Sequence, residues 1–327
     1  MIKNRRSFII GIKSTKLASK EVLFIKKYKP WGIILFSRNI KSIKQTKELT
    51  DSIKKIYNDE NFPILVDQEG GRVSRLENLI TSSSFTANFF GTIYKKDFKN
   101  LNNYLDIYID QISYLLRKLG INLNTSPVLD LKIKNASSII GDRSFSNDVN
   151  IVSKLGDLVI KKFHKNKIGS MIKHIPGHGL AKSDSHNFTP VVKKDLKNLN
   201  KYDFRAFRKK KSLFAMTAHI IYNKIDPINT ATHSKKIIKI IRNKILYKNI
   251  IISDDISMKA LKFTTAINTE KAFKAGCNLV LHCNARMSEM TIVAKNSPKV
   301  DSFLLKKTLE FYKLVGYLNE RRYTTSI

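Results

Sequence analysis

Short apolar runs rich in Val, Ile and Leu recur eight times along the chain, and several of them are continuous rather than alternating. They occupy residues 7–12, 32–36, 63–67, 122–129, 169–172, 213–218, 250–253 and 278–282. A strand with one face in water alternates apolar and polar residues, whereas a strand covered on both faces is apolar throughout, as in a parallel sheet. The runs therefore predict eight buried parallel strands.

Segments with apolar residues at helical spacing separate these runs. The clearest cover residues 19–28, 41–57, 97–119, 149–166 and 234–247, and the segment from about Asp301 predicts one closing helix. Repeated alternation of strand and helix is the pattern of a (β/α)8 barrel, the TIM-barrel form of the α/β class. The number of strands argues against the alternative, an open doubly wound sheet. We expect residues 1–327 to form this one barrel, with no second domain.

Polar residues follow five of the predicted strands directly. In barrels of this type, catalytic groups lie on the loops at the carboxyl ends of the strands. The polar clusters lie at residues 67–72, Asp130 with 141–145, 173–179, His219 and 254–255. The sequence therefore predicts that these side chains converge on one mouth of the barrel.

Histidines are concentrated in one of these loops. KHIPGHG, at residues 173–179, is followed by Asp184, Ser185 and His186, so three of the chain's 7 histidines fall close together. An aspartate bonded to one imidazole nitrogen fixes the tautomer, and the other nitrogen can then move a proton. Asp184 and His186 are therefore either an acid/base pair or an ion pair that braces the loop, and the pattern alone leaves both open.

The same histidines could instead bind a metal. His174, His178 and His186 have the spacing H-x3-H-x7-H, which matches no common zinc signature, and the sequence contains no HExxH motif. We therefore expect no metal and no cofactor. His178, which lies between two glycines, is expected to brace the loop.

Two carboxylates end the strand predicted at residues 250–253. Successive side chains of a strand point to opposite faces. One of Asp254 and Asp255 should therefore enter the mouth while the other is held by the scaffold or caps the next helix. We expect Asp254 to be a nucleophile.

The composition narrows the class of protein. With 42% hydrophobic residues, the chain can form a real core and is not disordered. Its net charge of +34 suggests a nucleic-acid partner. The basic residues are spread along the whole chain and stand beside no nucleic-acid motif, so we favour a compositional bias and expect no such partner.

The same reading bears on the compartment. The first apolar run stops at Lys13, too early for a signal peptide, and no segment has the ~18 apolar residues that a membrane span needs. Cys277 and Cys283 are expected to be free thiols. Free thiols suit a reducing compartment, so we expect a cytoplasmic protein without membrane attachment.

Motifs spread over nearly the whole chain give a more specific identification. In order from Trp31 to Asn284 they are WGIILFSRN, VDQEGGRVSRL, SPVLDL, IGDRSF, KHIPGHG with DSH, AMTAHIIYNKIDP, IISDDISM and AGCNLVLHCN. The chain resembles bacterial β-N-acetylglucosaminidases of glycoside hydrolase family three, cytoplasmic enzymes of peptidoglycan recycling. The histidine loop ending in DSH marks that branch. One departure is Ile175, where phenylalanine is usual.

The resemblance implies a role for each matching residue. Asp254 matches the nucleophile, His186 the acid/base and Asp184 its partner. Larger relatives take the acid from a second domain, whereas this chain is expected to supply it from a barrel loop. The remaining matches are positions that hold the terminal N-acetylglucosamine, namely Asp67, Arg75, Arg143, Lys173 and His174.

These roles imply a retaining exo-β-N-acetylglucosaminidase that acts on small N-acetylglucosamine-containing muropeptides, and we expect a monomer. A phosphorylase, which would use phosphate in place of water, is the nearest rival. A sugar-binding protein without catalysis is the alternative from another class, and the presence of Asp254, Asp184 and His186 argues against it.

Overall fold

Eight parallel strands close into a barrel in the computed structural model, which describes residues 2–134, 136–185 and 188–316. The described strands are β1 Arg6–Gly11, β2 Pro30–Leu35, β3 Ile64–Val66, β4 Leu123–Asn124, β5 Gly169–Ile175, β6 Val191–Val192, β7 Phe214–Thr217, β8 Ile221–Tyr222, β9 Ile250–Asp255 and β10 Leu279–His282. β6 and β8 pair with each other outside the barrel. Around the barrel, neighbours run in the order β1–β2–β3–β4–β5–β7–β9–β10, and β10 pairs with β1. The predicted (β/α)8 barrel is confirmed.

Helices surround the barrel. The described α-helices are α1 Ser19–Tyr28, α2 Ile43–Tyr57, α3 Ala87–Lys96, α4 Phe98–Lys118, α5 Val149–Lys165, α6 Leu196–Lys201, α7 Asp203–Ala206, α8 Lys235–Asn243, α9 Thr265–Ala275, α10 Met287–Asn296 and α11 Ser302–Val315. Asp97 and Asp148 begin α4 and α5 by accepting a backbone N–H in the first turn. Such caps explain why these helices begin within a residue or two of the predicted positions.

Two predicted elements are too long. The run at 122–129 is a regular strand only in β4, because Pro127 has no N–H to donate to a neighbouring strand. The helix predicted at 234–247 ends at Asn243, since Leu246 adopts a left-handed φ of 62°. Tyr247 then turns inward, and its hydroxyl donates to the carbonyl of Ser212 at 3.1 Å.

The strands bury both faces, which accounts for their continuous apolar character. In β1, Phe8 and Ile10 pack toward the helices while Ile9 lies in the cluster inside the barrel. α11 covers the end of the barrel at the amino ends of the strands. There Trp31 Nε1 donates to Thr308 Oγ1 at 2.9 Å, and the rings of Phe311 and Phe214 meet edge to face at 5.3 Å. This end is a packed floor, which leaves the opposite end for chemistry.

No helix within the described ranges combines the length and apolar character needed to cross a bilayer. Cys277 and Cys283 are free thiols, as expected.

Candidate active site

Polar side chains gather at the mouth of the barrel, where the carboxyl ends of the strands meet. Asp67 directly follows β3, and Asp254 is the next-to-last residue of β9. The pairing of β5 with β7 shifts by one residue between Lys173 and Ile175, as in a β-bulge. Bulges re-aim side chains near active sites. Lys173 and its neighbour His174 consequently reach different polar partners at the mouth.

Lys173 is the centre of a buried ionic cluster. Its side chain is only 2% exposed, and its Nζ contacts Asp67 Oδ1 and lies 2.6 Å from Glu69 Oε1. It also donates to Thr125 Oγ1 at 3.1 Å. Burial alone would lower the pKa of Lys173, but the two carboxylates outweigh it and raise that pKa. Lys173 is therefore a fixed cation at the mouth of the barrel.

Two arginines complete the cluster. Arg143 binds Glu69 with two parallel hydrogen bonds of 2.7 and 2.8 Å, and Arg75 donates to Asp67 Oδ2 at 3.2 Å. Burial would raise the pKa values of Asp67 and Glu69, but the neighbouring cations hold both below their usual range. The cluster is thus fully charged and held in one geometry, as recognition of hydroxyl groups requires.

Glu69 was not among the residues that sequence reasoning selected. Its signal was its place two residues after Asp67 and directly before Gly70 and Gly71, both of which have a positive φ. A turn of this kind returns the chain over the mouth. Glu69 is nevertheless a partner of Lys173 and Arg143, so it holds both predicted sugar-binding cations in place.

Asp130 organises the start of the histidine loop. Its Oδ2 lies 2.7 Å from His174 Nδ1, and its Oδ1 accepts the backbone N–H of His178 at 2.6 Å. A carboxylate only accepts, so Nδ1 of His174 carries the proton and Nε2 is the nitrogen available to a ligand. Burial would raise the pKa of Asp130, but its interactions with His174 and His178 lower that pKa.

His178 ties the loop to the segment that carries the predicted acid/base pair. Its Nε2 lies 3.2 Å from the hydroxyl of Ser185, and its ring meets that of His174 edge to face at 5.5 Å. Burial, reinforced by the nearby His174, lowers the pKa of His178 to about 4, so the ring is neutral. Ser185 separates Asp184 from His186 in the chain. Its bond to a buried ring therefore holds Ser185, the residue after Asp184, against the histidine loop, a role that sequence reasoning missed.

The predicted dyad is only partly within the structure. Asp184 is half-buried, and its carbonyl oxygen accepts the N–H of Phe188 at 3.0 Å. His186 lies outside the described residues, so the prediction for this pair stays a prediction. Among the described residues, no three His, Cys, Asp or Glu side chains converge as metal ligands do.

Asp254 and Asp255 have different surroundings at the end of β9. The side chain of Asp255 accepts the N–H and the hydroxyl of Ser257 at 3.0 and 2.9 Å, and the N–H of Cys283 at 3.3 Å. The charge of Asp254 acts on the buried ring of His219. The pKa of the Cys283 thiol is raised by burial and by the charges of Asp255, Asp254 and Asp67. Asp255 is held by the scaffold. Ile250 and Ile252 of β9 lie in the cluster inside the barrel, and side chains alternate along a strand, so Asp254 faces the mouth.

The comparison with known families covers all of these residues. The chain matches the model described as the glycosyl hydrolase family 3 N terminal domain over residues 7–303. The chain belongs to glycosyl hydrolase family 3. As a family 3 protein it is a glycoside hydrolase, and the resemblance found in the motifs is confirmed.

Named relatives narrow the kind of family 3 enzyme. A β-hexosaminidase of Nitrosomonas eutropha is 34% identical over 263 residues, which cover 77% of this chain and 73% of the relative. The crystal structure of NagZ from Neisseria gonorrhoeae in complex with N-trifluoroacetyl-D-glucosamine matches with a TM-score of 0.83 at 30% identity, covering 94% of this chain and 90% of that one. A family 3 β-N-acetylglucosaminidase from Paenibacillus has the same fold, with a TM-score of 0.86 at 24% identity. This chain covers 62% of its length.

A further carboxyl group of this family 3 barrel lies beneath the histidine loop. Asp203, at the start of α7, is fully buried, and its Oδ1 accepts the N–H of Leu131 at 3.4 Å. A Cβ on Gly177 would lie 2.3 Å from its Cβ, and a Cβ on Gly179 would lie 2.7 Å from its Oδ1. Its Oδ2 has no hydrogen-bond partner in the part of the chain that the structure describes. Both glycines of the loop are therefore needed for close packing on Asp203.

Asp203 predicts a pH dependence of stability. Burial, with a smaller effect of Asp130, raises the pKa of Asp203 to about 7, far above the ~3.9 of an unfolded aspartate. A raised folded pKa stabilises below the unfolded pKa, and this contribution is lost as the pH rises through 7. Asp203→Asn should therefore gain stability relative to the wild type between pH 4 and pH 8, by at most about 4 kcal/mol.

Thermal unfolding of both proteins across this pH range checks the expectation. Asp51→Asn, on the exposed side of α2, is the control for removal of a charge. A stability difference between Asp203→Asn and the wild type that stays constant from pH 4 to pH 8 would contradict the raised pKa.

Proposed function

We propose that this chain is a retaining exo-β-N-acetylglucosaminidase. It removes terminal non-reducing N-acetylglucosamine from peptidoglycan fragments in the cytoplasm and acts as a monomer. The observation that carries the proposal is that Asp254 points from β9 into the mouth, where Lys173, Asp67 and Glu69 form the fixed ionic cluster. The β-hexosaminidase relatives and the glucosamine derivative bound by the neisserial NagZ support it.

In the proposed mechanism, the ionic cluster and His174 hold the terminal sugar. Asp67 and the guanidinium groups of Arg75 and Arg143 bind its hydroxyl and amide groups, because charged hydrogen-bonding groups of fixed geometry lose little entropy on binding. Asp254 then attacks the anomeric carbon, and the bond from that carbon to the leaving oxygen breaks. The product of this step is a covalent glycosyl-enzyme.

His186, as imidazolium, donates its proton to the departing oxygen. The neutral ring then takes a proton from water, the hydroxide attacks the anomeric carbon, and Asp254 leaves as a carboxylate. Two displacements at one carbon retain its configuration. Asp184 stabilises the imidazolium, and the His178–Ser185 bond supports this role because it holds the residue next to Asp184.

Leaving-group dependence tests the acid. His186→Ala is expected to lower kcat/KM by about 100-fold or more on a disaccharide, which needs protonation of its leaving oxygen. The loss should be about tenfold or less on a 2,4-dinitrophenyl glycoside, whose leaving group departs as a stable anion. Steady-state kinetics on both substrates measure the contrast. Equal losses on both would mean that His186 is not the acid.

The rival reaction has its own test. Wild-type enzyme is incubated with a chromogenic N-acetylglucosaminide in buffer without phosphate and with phosphate added, and the sugar product is identified. We expect free N-acetylglucosamine in both cases. A requirement for phosphate, with N-acetylglucosamine 1-phosphate as the product, would favour a phosphorylase.

A further inference from the structure

A cleft of about 610 Å³ lies beside the mouth, between α3 and the loops that follow β4. Its base is formed by close packing, since a Cβ on Gly91 of α3 would lie 1.6 Å from the carbonyl oxygen of Phe145. The opposite side is held by the N–H of Lys132, which donates to the carbonyl of Ser146 at 3.0 Å. The cleft is therefore part of the packed fold.

Its lining is basic and contains no acid. Lys95, Lys132 and Lys134 are exposed and line the cleft together with hydroxyl and amide side chains, and no Asp or Glu does so among the described residues. None of the three lysines has a carboxylate partner within the described ranges. Cations left without counter-charges around a concave surface favour an anionic ligand.

Two other grooves show that this charge pattern is not general. The groove between α5 and the segment after α7 is also basic, but Asp157 lies in it and binds Lys210 at 2.7 Å. The groove between α1 and α2 contains Glu48. Of these three depressions, only the cleft beside the mouth lacks a carboxylate.

The cleft is bonded to the histidine loop. The N–H of Ser137, in its lining, donates to the carbonyl of Ala181 at 2.9 Å, three residues before Asp184. Gly179 of the same loop also lines it. On the other side, its lining residue Gly141 lies two residues before Arg143 of the ionic cluster. The cleft thus opens next to the histidine loop and close to the ionic cluster.

We propose that this lysine cleft, defined by Lys95, Lys132 and Lys134, binds carboxylates of a short acidic peptide attached to the leaving sugar. The inference rests on the proposed glycosidase function and adds to it the place on the surface where the peptide of the leaving sugar binds. Two or three lysines at the rim attract the peptide carboxylates, while the sugar that is removed occupies the mouth. The cleft then raises affinity for acidic glycopeptides without taking part in bond cleavage.

Kinetics on one substrate in two charge states test this proposal. The substrate is N-acetylglucosaminyl-anhydro-muramyl-L-alanyl-D-glutamate, compared with the same compound in which the carboxylates are methyl esters. The double variant Lys95→Gln/Lys132→Gln should raise KM for the acid about tenfold, since each exposed ion pair contributes up to about fivefold. KM for the ester, and kcat for both compounds, should stay within about twofold of the wild type.

A matched double variant controls for the overall electrostatic field of the protein. Lys161→Gln/Lys209→Gln removes the same charge from the groove near α5 and should leave KM for the acid within about twofold. The single variant Lys134→Gln is a further test. A smaller rise in KM for the acid, with KM for the ester unchanged, would support the proposal independently. Melting temperatures of all variants confirm that the fold is intact.

Several results would overturn the lysine cleft as a binding site. These are an unchanged KM for the acid, an equal rise with the control variant, or an equal rise for the ester. In each case wild-type cleavage of both compounds would leave the proposed glycosidase function standing. Failure of the wild type to cleave either compound, or a chromogenic N-acetylglucosaminide, would instead overturn the proposed function itself.

Discussion

Replacing Asp254 with alanine is expected to lower turnover of N-acetylglucosaminides by about 10⁴-fold or more, because no covalent intermediate can form without its carboxylate. The fold should be retained, since the side chain accepts the N–H of the adjacent Asp255 and faces the mouth, as the alternation of side chains along β9 requires. A fluorinated N-acetylglucosamine analogue that traps the glycosyl-enzyme should label Asp254 in the wild type, and peptide mass spectrometry identifies the labelled carboxylate.

The neighbouring carboxylate is a matched control. Asp255→Asn removes one charge at the adjacent position, but there the carboxylate holds Ser257 and the N–H of Cys283. We expect this variant to be less stable than the wild type while keeping most of its ability to be labelled at Asp254. Labelling of Asp255, or turnover by Asp254→Ala close to that of the wild type, would assign the nucleophile elsewhere.

Replacing Lys173 with methionine is expected to destabilise the protein by about 3–5 kcal/mol, because it leaves Asp67 and Glu69 buried without the cation between them. The melting temperature should fall by about 10 °C at neutral pH. Lys173 lowers the pKa values of both carboxyls, and burial raises them. Without Lys173 the effect of burial is less opposed, so the two carboxyls take up protons at a higher pH in the variant than in the wild type, and this relieves the penalty as the pH falls. The deficit should therefore shrink toward pH 4.

Lys274→Met provides the comparison for this loss. Lys274 pairs with Glu270 on the exposed side of α9, and such a pair contributes less than about 0.5 kcal/mol. Thermal unfolding of both variants at pH 4 and pH 7 measures the difference. A deficit for Lys173→Met that is as small as that of Lys274→Met would mean that solvent reaches the cluster freely.

The barrel could be predicted from the sequence because its strands are covered on both faces, and this leaves continuous apolar runs such as that of β9. N-capping residues such as Asp97 and Asp148 also indicated where helices begin. The errors come from tertiary effects. Pro127 ends regular pairing in β4, and the inward turn of Tyr247 ends α8 early, although both segments have suitable residues for their predicted elements.

The candidate site was predictable where a polar residue directly follows an apolar run of the sequence, as Asp67 and Asp254 do. Glu69, Ser185 and Asp203 were missed because their roles depend on partners far away in the chain or across a loop. Asp203 lies 24 residues beyond Gly179, and nothing near it in the sequence shows that the loop packs on it. Burial and pairing of charges arise only when the loops fold over the mouth.

The floor of the barrel bears on how the chain reaches its native state. α11 is the last of the described helices to be synthesised, and it covers Trp31 and Phe214 at that end. One edge of β1 also stays unpaired until β10 has been synthesised. Contacts between such distant parts of a chain form slowly, and an uncovered apolar interior favours aggregation. During synthesis, a chain that still lacks α11 is therefore the species most in need of a chaperone. Docking of α11 on the floor of the barrel is the step that ends this need.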